Sequence, residues 1–213
     1  MRCQRENMLL YAVTDRAWVG KQSLPEQVEC AIRGGVTCVQ LREKQLDEQA
    51  FFQEALEMKR LCRKYHVPFL IDDNVELAIR CGADGVHVGQ SDMNAGKVRS
   101  LIGDGMLLGV SVQTVEQALA AQDAGADYLG VGAVFVTSTK QDAEAVSHEA
   151  LRRICAAVQI PVVAIGGIGQ GNILELSGTG VDGVAVVSAI FGAEDIESSC
   201  RALSALSRKM VGK

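Results

Sequence analysis

Three tetrads recur along this chain at the same kind of place: Gly82-Ala83-Asp84-Gly85, Gly125-Ala126-Asp127-Tyr128 and Gly180-Val181-Asp182-Gly183. Each stands where a helical pattern ends and an apolar, β-rich run begins. Glycine there supplies the left-handed residue that closes a helix, and the Asp can bond the turn backbone. The runs that follow, Val86-His87-Val88, Leu129-Gly130-Val131 and Val184-Ala185-Val186, are almost wholly apolar. That pattern suits parallel strands covered by helices.

The same alternation runs from end to end. Strands are expected over Met8–Thr14, Val39–Lys44, Pro68–Ile71, Gly85–Gly89, Met106–Val112, Tyr128–Val134, Val162–Ile165 and Val184–Val187. Helices are expected over Leu24–Ile32, with Ser23 as cap and Pro25 in the first turn, and over about Asp47–Tyr65. Further helices are expected over Val75–Cys81, Ala95–Ile102, Val115–Ala124, His148–Val158, Asn172–Leu176 and about Ile196–Met210. About eight such units in 213 residues predict one (β/α)8 TIM barrel over residues 1–213, with its active site at the C-terminal strand ends. An open doubly wound sheet usually carries a glycine fingerprint in its first turn, and Val13-Thr14-Asp15-Arg16 has none.

Composition narrows the function. The net charge of −5 argues against nucleic acid or an anionic membrane surface as partner, so any positive potential must be local. Seven cysteines form no CxxC pair and no metal-finger spacing, the usage expected of reduced thiols in a cytoplasmic protein. The apolar run Met8–Val13 is too short for a signal-peptide core, and nothing approaches the roughly 20 apolar residues of a membrane span.

The expected strand ends are rich in anion-binding and metal-binding groups, whereas the strand starts are plain Gly and apolar residues. In the second strand, period two puts Gln40, Arg42 and Lys44 on one face, and Leu41 and Glu43 on the other. Such a face is either a polyanion clamp or a strand end whose charges reach water. Asp73 and Asp92 end neighbouring strands; they suit Mg²⁺, or else cap the helices that follow. Gly166-Gly167, with Val187-Ser188 after the last strand, matches the usual barrel phosphate site. Thr137-Ser138-Thr139-Lys140 opens the longest loop, and the tract Gln141–Val146 is either a lid or a solvated loop. His87, in mid-strand, reads as a packed structural imidazole.

With these residues assembled, the chain resembles the thiamine phosphate synthase family. The resemblance runs from Leu10-Tyr11-Ala12-Val13-Thr14-Asp15 through Gln40-Leu41-Arg42-Glu43-Lys44 and Gly85-Val86-His87-Val88-Gly89-Gln90-Ser91-Asp92. It continues through Gly109-Val110-Ser111, Thr137-Ser138-Thr139-Lys140, Ile165-Gly166-Gly167-Ile168 and Val187-Ser188-Ala189-Ile190. It implies an Mg²⁺-dependent transferase joining hydroxymethylpyrimidine diphosphate to hydroxyethylthiazole phosphate, with release of pyrophosphate. By position, Gln40, Arg42, Lys44, Asp72, Ser111 and Lys140 then hold the pyrimidine diphosphate, with Lys44, Arg42, Lys140 and Ser111 acting on the leaving group. Asp73 and Asp92 hold the metal, and Thr137, Thr139, Gly167, Val187 and Ser188 hold the thiazole phosphate.

Three features depart from the family pattern. Asp72 stands where an Asn is usual, Ala133 and Val136 replace prolines, and the tract Gln141–Val146 is unlike the common wording. The alternatives are an isomerase of a thiazole phosphate and a non-catalytic paralogue that binds thiazole or thiamine phosphate. Partners are expected to be small molecules. A homo-oligomer is compatible with this reading.

Overall fold

The computed structural model describes residues 3–20, 22–136 and 146–212. Eight parallel strands close into a barrel in sequence order. They are β1 (Leu10–Val13), β2 (Cys38–Leu41), β3 (Phe69–Asp72), β4 (Gly85–Val88), β5 (Leu107–Val112), β6 (Tyr128–Val131), β7 (Val162–Ile165) and β8 (Gly183–Val186). Closure is made by β1 against β8, with Leu10 opposite Val184 and Ala12 opposite Val186. Around them lie α1 (Leu24–Arg33), α2 (Glu48–Lys64), α3 (Val75–Cys81), α4 (Ala95–Ile102), α5 (Val115–Asp123), α6 (His148–Ala157), α7 (Ser188–Phe191) and α8 (Ile196–Met210). This is the (β/α)8 barrel that the alternation predicts.

Local chemistry explains where the helices start. Ser23 and Glu26 form a reciprocal capping box at α1 with Pro in its first turn. Asp47, Asn74, Asn94, Thr114, Ser147 and Asp195 cap the other long helices through their side-chain oxygens. On α2, Phe51, Ala55, Met58 and Cys62 form the buried stripe. Strand residues facing outward, such as Val39 and Leu41, join that stripe in the layer between sheet and helices. Inward-facing Met8, Tyr11, Val13, Cys38, Leu70, Tyr128, Val163 and Ala185 fill the barrel itself. All seven cysteines are unpaired.

Three local expectations are corrected. The strand expected over Val39–Lys44 stops at Leu41. There the Thr14 hydroxyl takes the Arg42 N–H, and the Glu43 carboxylate takes those of Lys44, Gln45 and Leu46, so the ladder cannot continue. The helix expected over Asn172–Leu176 is a four-residue 3₁₀ turn, Ile173–Leu176, in a glycine-rich segment too short to nucleate an α-helix. The tetrad aspartates do not bond their own turns. Asp84 accepts from the Phe69 N–H at 2.9 Å, Asp127 from Leu108 at 2.8 Å and Asp182 from Val162 at 2.9 Å. Each carboxylate thus satisfies an N–H near the start of the preceding strand, tying neighbouring β/α units together across the N-terminal face.

Candidate active site

At the C-terminal rim, the turn after β2 is held from beneath. The buried Thr14 hydroxyl donates to the Arg42 carbonyl and accepts from its N–H, at 3.3 and 3.0 Å. Glu43 turns away from the barrel axis, as period two expects, and its carboxylate accepts from Arg16 Nε at 2.5 Å as well as from the turn backbone. Burial alone would raise the Glu43 pKa, but the Gln45 N–H and Arg16 outweigh it and hold the carboxyl below the ordinary range.

The opposite side of this turn carries the cations. Lys44 Nζ lies 2.5 Å from Asp73 Oδ2 and 3.8 Å from Asp72 Oδ2. Arg42 lies 3.7 Å from Asp72 and 3.7 Å from Asp15. Partial burial works against the Lys44 charge, but the hydrogen bond and charge of Asp73 outweigh it and lift its pKa above the lysine range. Gln40 shares their side of the chain but sits lower: it is buried inside the barrel, and its Nε2 donates to Tyr11 Oη at 3.0 Å.

The two readings of Asp73 and Asp92 now separate. The caps of α3 and α4 are Asn74 and Asn94, each accepting backbone N–H groups through its side chain. Neither aspartate is therefore occupied as a helix cap. Asp73 takes a left-handed φ of +58°, a conformation costly for a non-glycine residue and common at functional sites. Asp92 Oδ2 accepts from the Gly89 N–H at 2.7 Å. Among the described residues no three His, Cys, Asp or Glu side chains gather as a metal cluster. A pair of carboxylates on adjacent strand ends suits Mg²⁺, which takes one or two of them and fills its shell with water and phosphate oxygens.

A cleft of about 420 Å³ opens beside β7 and β8, lined by Val136, Gly167, Ile168, Asn172, Ser188 and Ala189 among others. Gly167 has a φ of +65°, and a Cβ there would fall 2.5 Å from the Val136 carbonyl, so only glycine fits. Asn172 braces the loop, donating to the Gly167 carbonyl and accepting from the Gly169 N–H, both at 2.9 Å. Val187 precedes α7, whose first N–H groups have no intrahelical acceptor. Thr137, Ser138, Thr139, Lys140 and positions 141–145 lie outside the described residues. Val146 is buried, its N–H on the Ala133 carbonyl at 2.8 Å.

Ser111 ends up on the barrel's inner side, its Oγ 2.9 Å from His87 Nε2. His87 Nδ1 in turn lies 2.9 Å from Tyr128 Oη, and Tyr128 Oη lies 2.8 Å from Tyr11 Oη. Neither tyrosine nor Asn172 was singled out by the sequence reading. The available signal was a tyrosine at an inward position of an otherwise aliphatic strand.

A closed barrel whose rim carries paired cations and carboxylates beside a glycine-walled cleft defines a barrel enzyme. The family model described as thiamine monophosphate synthase matches residues 10–190, and the chain belongs to that family. A thiamine-phosphate synthase of Ruminiclostridium cellulolyticum is 53% identical over 194 residues, covering 91% of this chain and 92% of its relative. One from Clostridium tetani is 48% identical, with 92% and 93% covered. Among solved structures, a thiamine phosphate pyrophosphorylase from Pyrococcus furiosus superposes with a TM-score of 0.90 at 39% identity, covering 98% of this chain and 99% of that one. No helix among the described residues is long and apolar enough to cross a membrane.

Proposed function

We propose that this chain is a thiamine-phosphate synthase, joining 4-amino-2-methyl-5-hydroxymethylpyrimidine diphosphate to hydroxyethylthiazole phosphate. The C–O bond between the pyrimidine methylene and the diphosphate breaks, and its electron pair leaves with pyrophosphate. The lone pair of the thiazole nitrogen then forms the new C–N bond to that methylene. The electron-rich aminopyrimidine spreads the positive charge left on the methylene, so the barrier lies mainly in the charge that builds on the leaving group. Preorganised cations lower such a barrier without a strong protein base.

In this reading Arg42 and Lys44 bind the diphosphate, with Ser111 and Lys140 as further donors, and Gln40 and Asp72 complete the pyrimidine side. Asp73 and Asp92 would hold Mg²⁺, which would supply Lewis acidity against the charge building on the leaving group. Gly167, Val187 and Ser188, with Thr137 and Thr139, take the thiazole phosphate. The observation that carries the proposal is the meeting of Lys44 and Arg42 with Asp72 and Asp73 at one strand-end cluster, in a chain of this family. In the free protein, carboxylates neutralise the same cations that a diphosphate would engage.

The test supplies both substrates with and without Mg²⁺ and follows thiamine phosphate by thiochrome fluorescence. Product and pyrophosphate are expected in equal amounts, and chelation is expected to stop both. Asp72→Asn is expected to keep turnover. Tight binding of the thiazole phosphate with no pyrophosphate release would defeat the proposal.

A further inference from the structure

A file of polar groups crosses the barrel interior from β2 to β5. Gln40 Nε2 donates to Tyr11 Oη, which is followed by Tyr128 Oη, His87 Nδ1, His87 Nε2 and finally Ser111 Oγ, with every step between 2.8 and 3.0 Å. Both tyrosines are fully buried, and burial pushes their phenols well above the ordinary tyrosine range. Each phenol therefore keeps one proton, and that proton can be given to one neighbour only.

This fixes the direction of the file. The Gln40 NH₂ can only donate, so Tyr11 accepts from it and gives its own proton to Tyr128. Tyr128, having accepted, donates to His87 Nδ1. His87 then carries its proton on Nε2 and donates it to Ser111 Oγ, leaving the Ser111 hydroxyl hydrogen for the site above. The Ser111 carbonyl is separately held by Gln90 Nε2 at 2.7 Å, which steadies the strand end.

The barrel is shaped around this file. A Cβ on Gly109 would fall 2.2 Å from Tyr128 Cζ and 2.4 Å from His87 Nδ1, and one on Gly130 would fall 3.1 Å from His87 Cε1. Glycines at two strand positions thus make room for the tyrosine–histidine pair.

We infer that the tyrosine pair sets His87 in its Nε2–H tautomer and so aims the Ser111 hydroxyl hydrogen at the diphosphate, making His87 a positioning residue for Ser111. The structural half of this inference stands on the free protein, and the catalytic half rests on the reaction proposed above. An imidazole with no such partners would show histidine's intrinsic mixture of tautomers, in which Nε2–H predominates without excluding Nδ1–H.

Long-range ¹H–¹⁵N correlation of the labelled protein, above the titration range of histidine, reads the tautomer directly. With 3 His in the chain, assignment by a His87→Gln variant is simple. The wild type is expected to show an unprotonated Nδ1 and a protonated Nε2, and Tyr128→Phe is expected to mix the tautomers. In turnover assays His87→Ala is expected to lose about 10- to 100-fold in kcat with KM unchanged. His87→Gln, which keeps a donor near the Nε2 position, is expected to recover most of that loss. The His87→Ala, Ser111→Ala double variant is expected to be no slower than Ser111→Ala alone. Protonation at Nδ1 in the wild type overturns the inference, as do losses that multiply in the double variant. An Nε2–H tautomer in a wild type that forms no thiamine phosphate would leave the interior file standing and remove the reaction.

Discussion

Lys44 is held between two carboxylates, beside a second cation. Its ammonium contacts Asp73 at 2.5 Å and Asp72 at 3.8 Å, while Arg42 shares Asp72 from the other side. Because Lys44 is half exposed, its ion pairs add little to stability. In the proposed reaction its value lies in the charge it can turn toward the leaving group. Lys44→Ala is therefore expected to lower kcat by about 10²–10³ while the unfolding midpoint stays put. Turnover equal to the wild type would show that the clamp is misassigned. At this scale the sequence reading set Arg42 and Lys44 opposite Glu43, and the turn keeps them so although the strand expected to alternate them ends at Leu41. It could not see that Asn74 and Asn94 relieve Asp73 and Asp92 of capping, because Asp and Asn are about equally good caps. Only the hydrogen-bond geometry separates them.

The elements are joined by the tetrads. Glycine closes the helix at Gly82 with a φ of +63°, and the Asp two residues on reaches back to the preceding strand. Asp127 accepts from the Leu108 N–H and pairs with Arg99, which also holds the Gly103, Met106 and Gly125 carbonyls. Asp127→Ala leaves a strand N–H without its acceptor, takes the carboxylate from Arg99, and is expected to cost about 1–3 kcal/mol. The urea midpoint should fall while kcat holds, because this junction lies on the face opposite the site. A parallel loss of kcat would show that the two faces are coupled. Helix positions were legible because caps and apolar periods are local signals. The end of β2 was not, since it depends on Thr14, a residue just beyond β1, taking the Arg42 N–H.

For the whole molecule, acid stability offers a test. Folding lowers the Glu43 pKa, so between the folded and unfolded values the unfolded chain binds more protons. The stabilisation from Glu43 is thus fully present above the ordinary glutamate range and is lost as pH falls through the folded value. The unfolding free energies of wild type and Glu43→Gln are expected to differ most near neutrality, and the gap is expected to close as pH falls below the ordinary glutamate range. A gap that does not change with pH would mean that Glu43 is not the charged anchor of the β2 turn. Residue periodicity, turn glycines and helix caps by themselves determined the barrel and the order of its strands, because each is written within a few residues of where it acts. Only the closed tertiary structure decided that Gln40, Tyr11, Tyr128, His87 and Ser111, drawn from five strands, form one file of hydrogen bonds. No local pattern encodes that meeting, since it depends on the curvature that brings inward side chains of separate strands to a common axis.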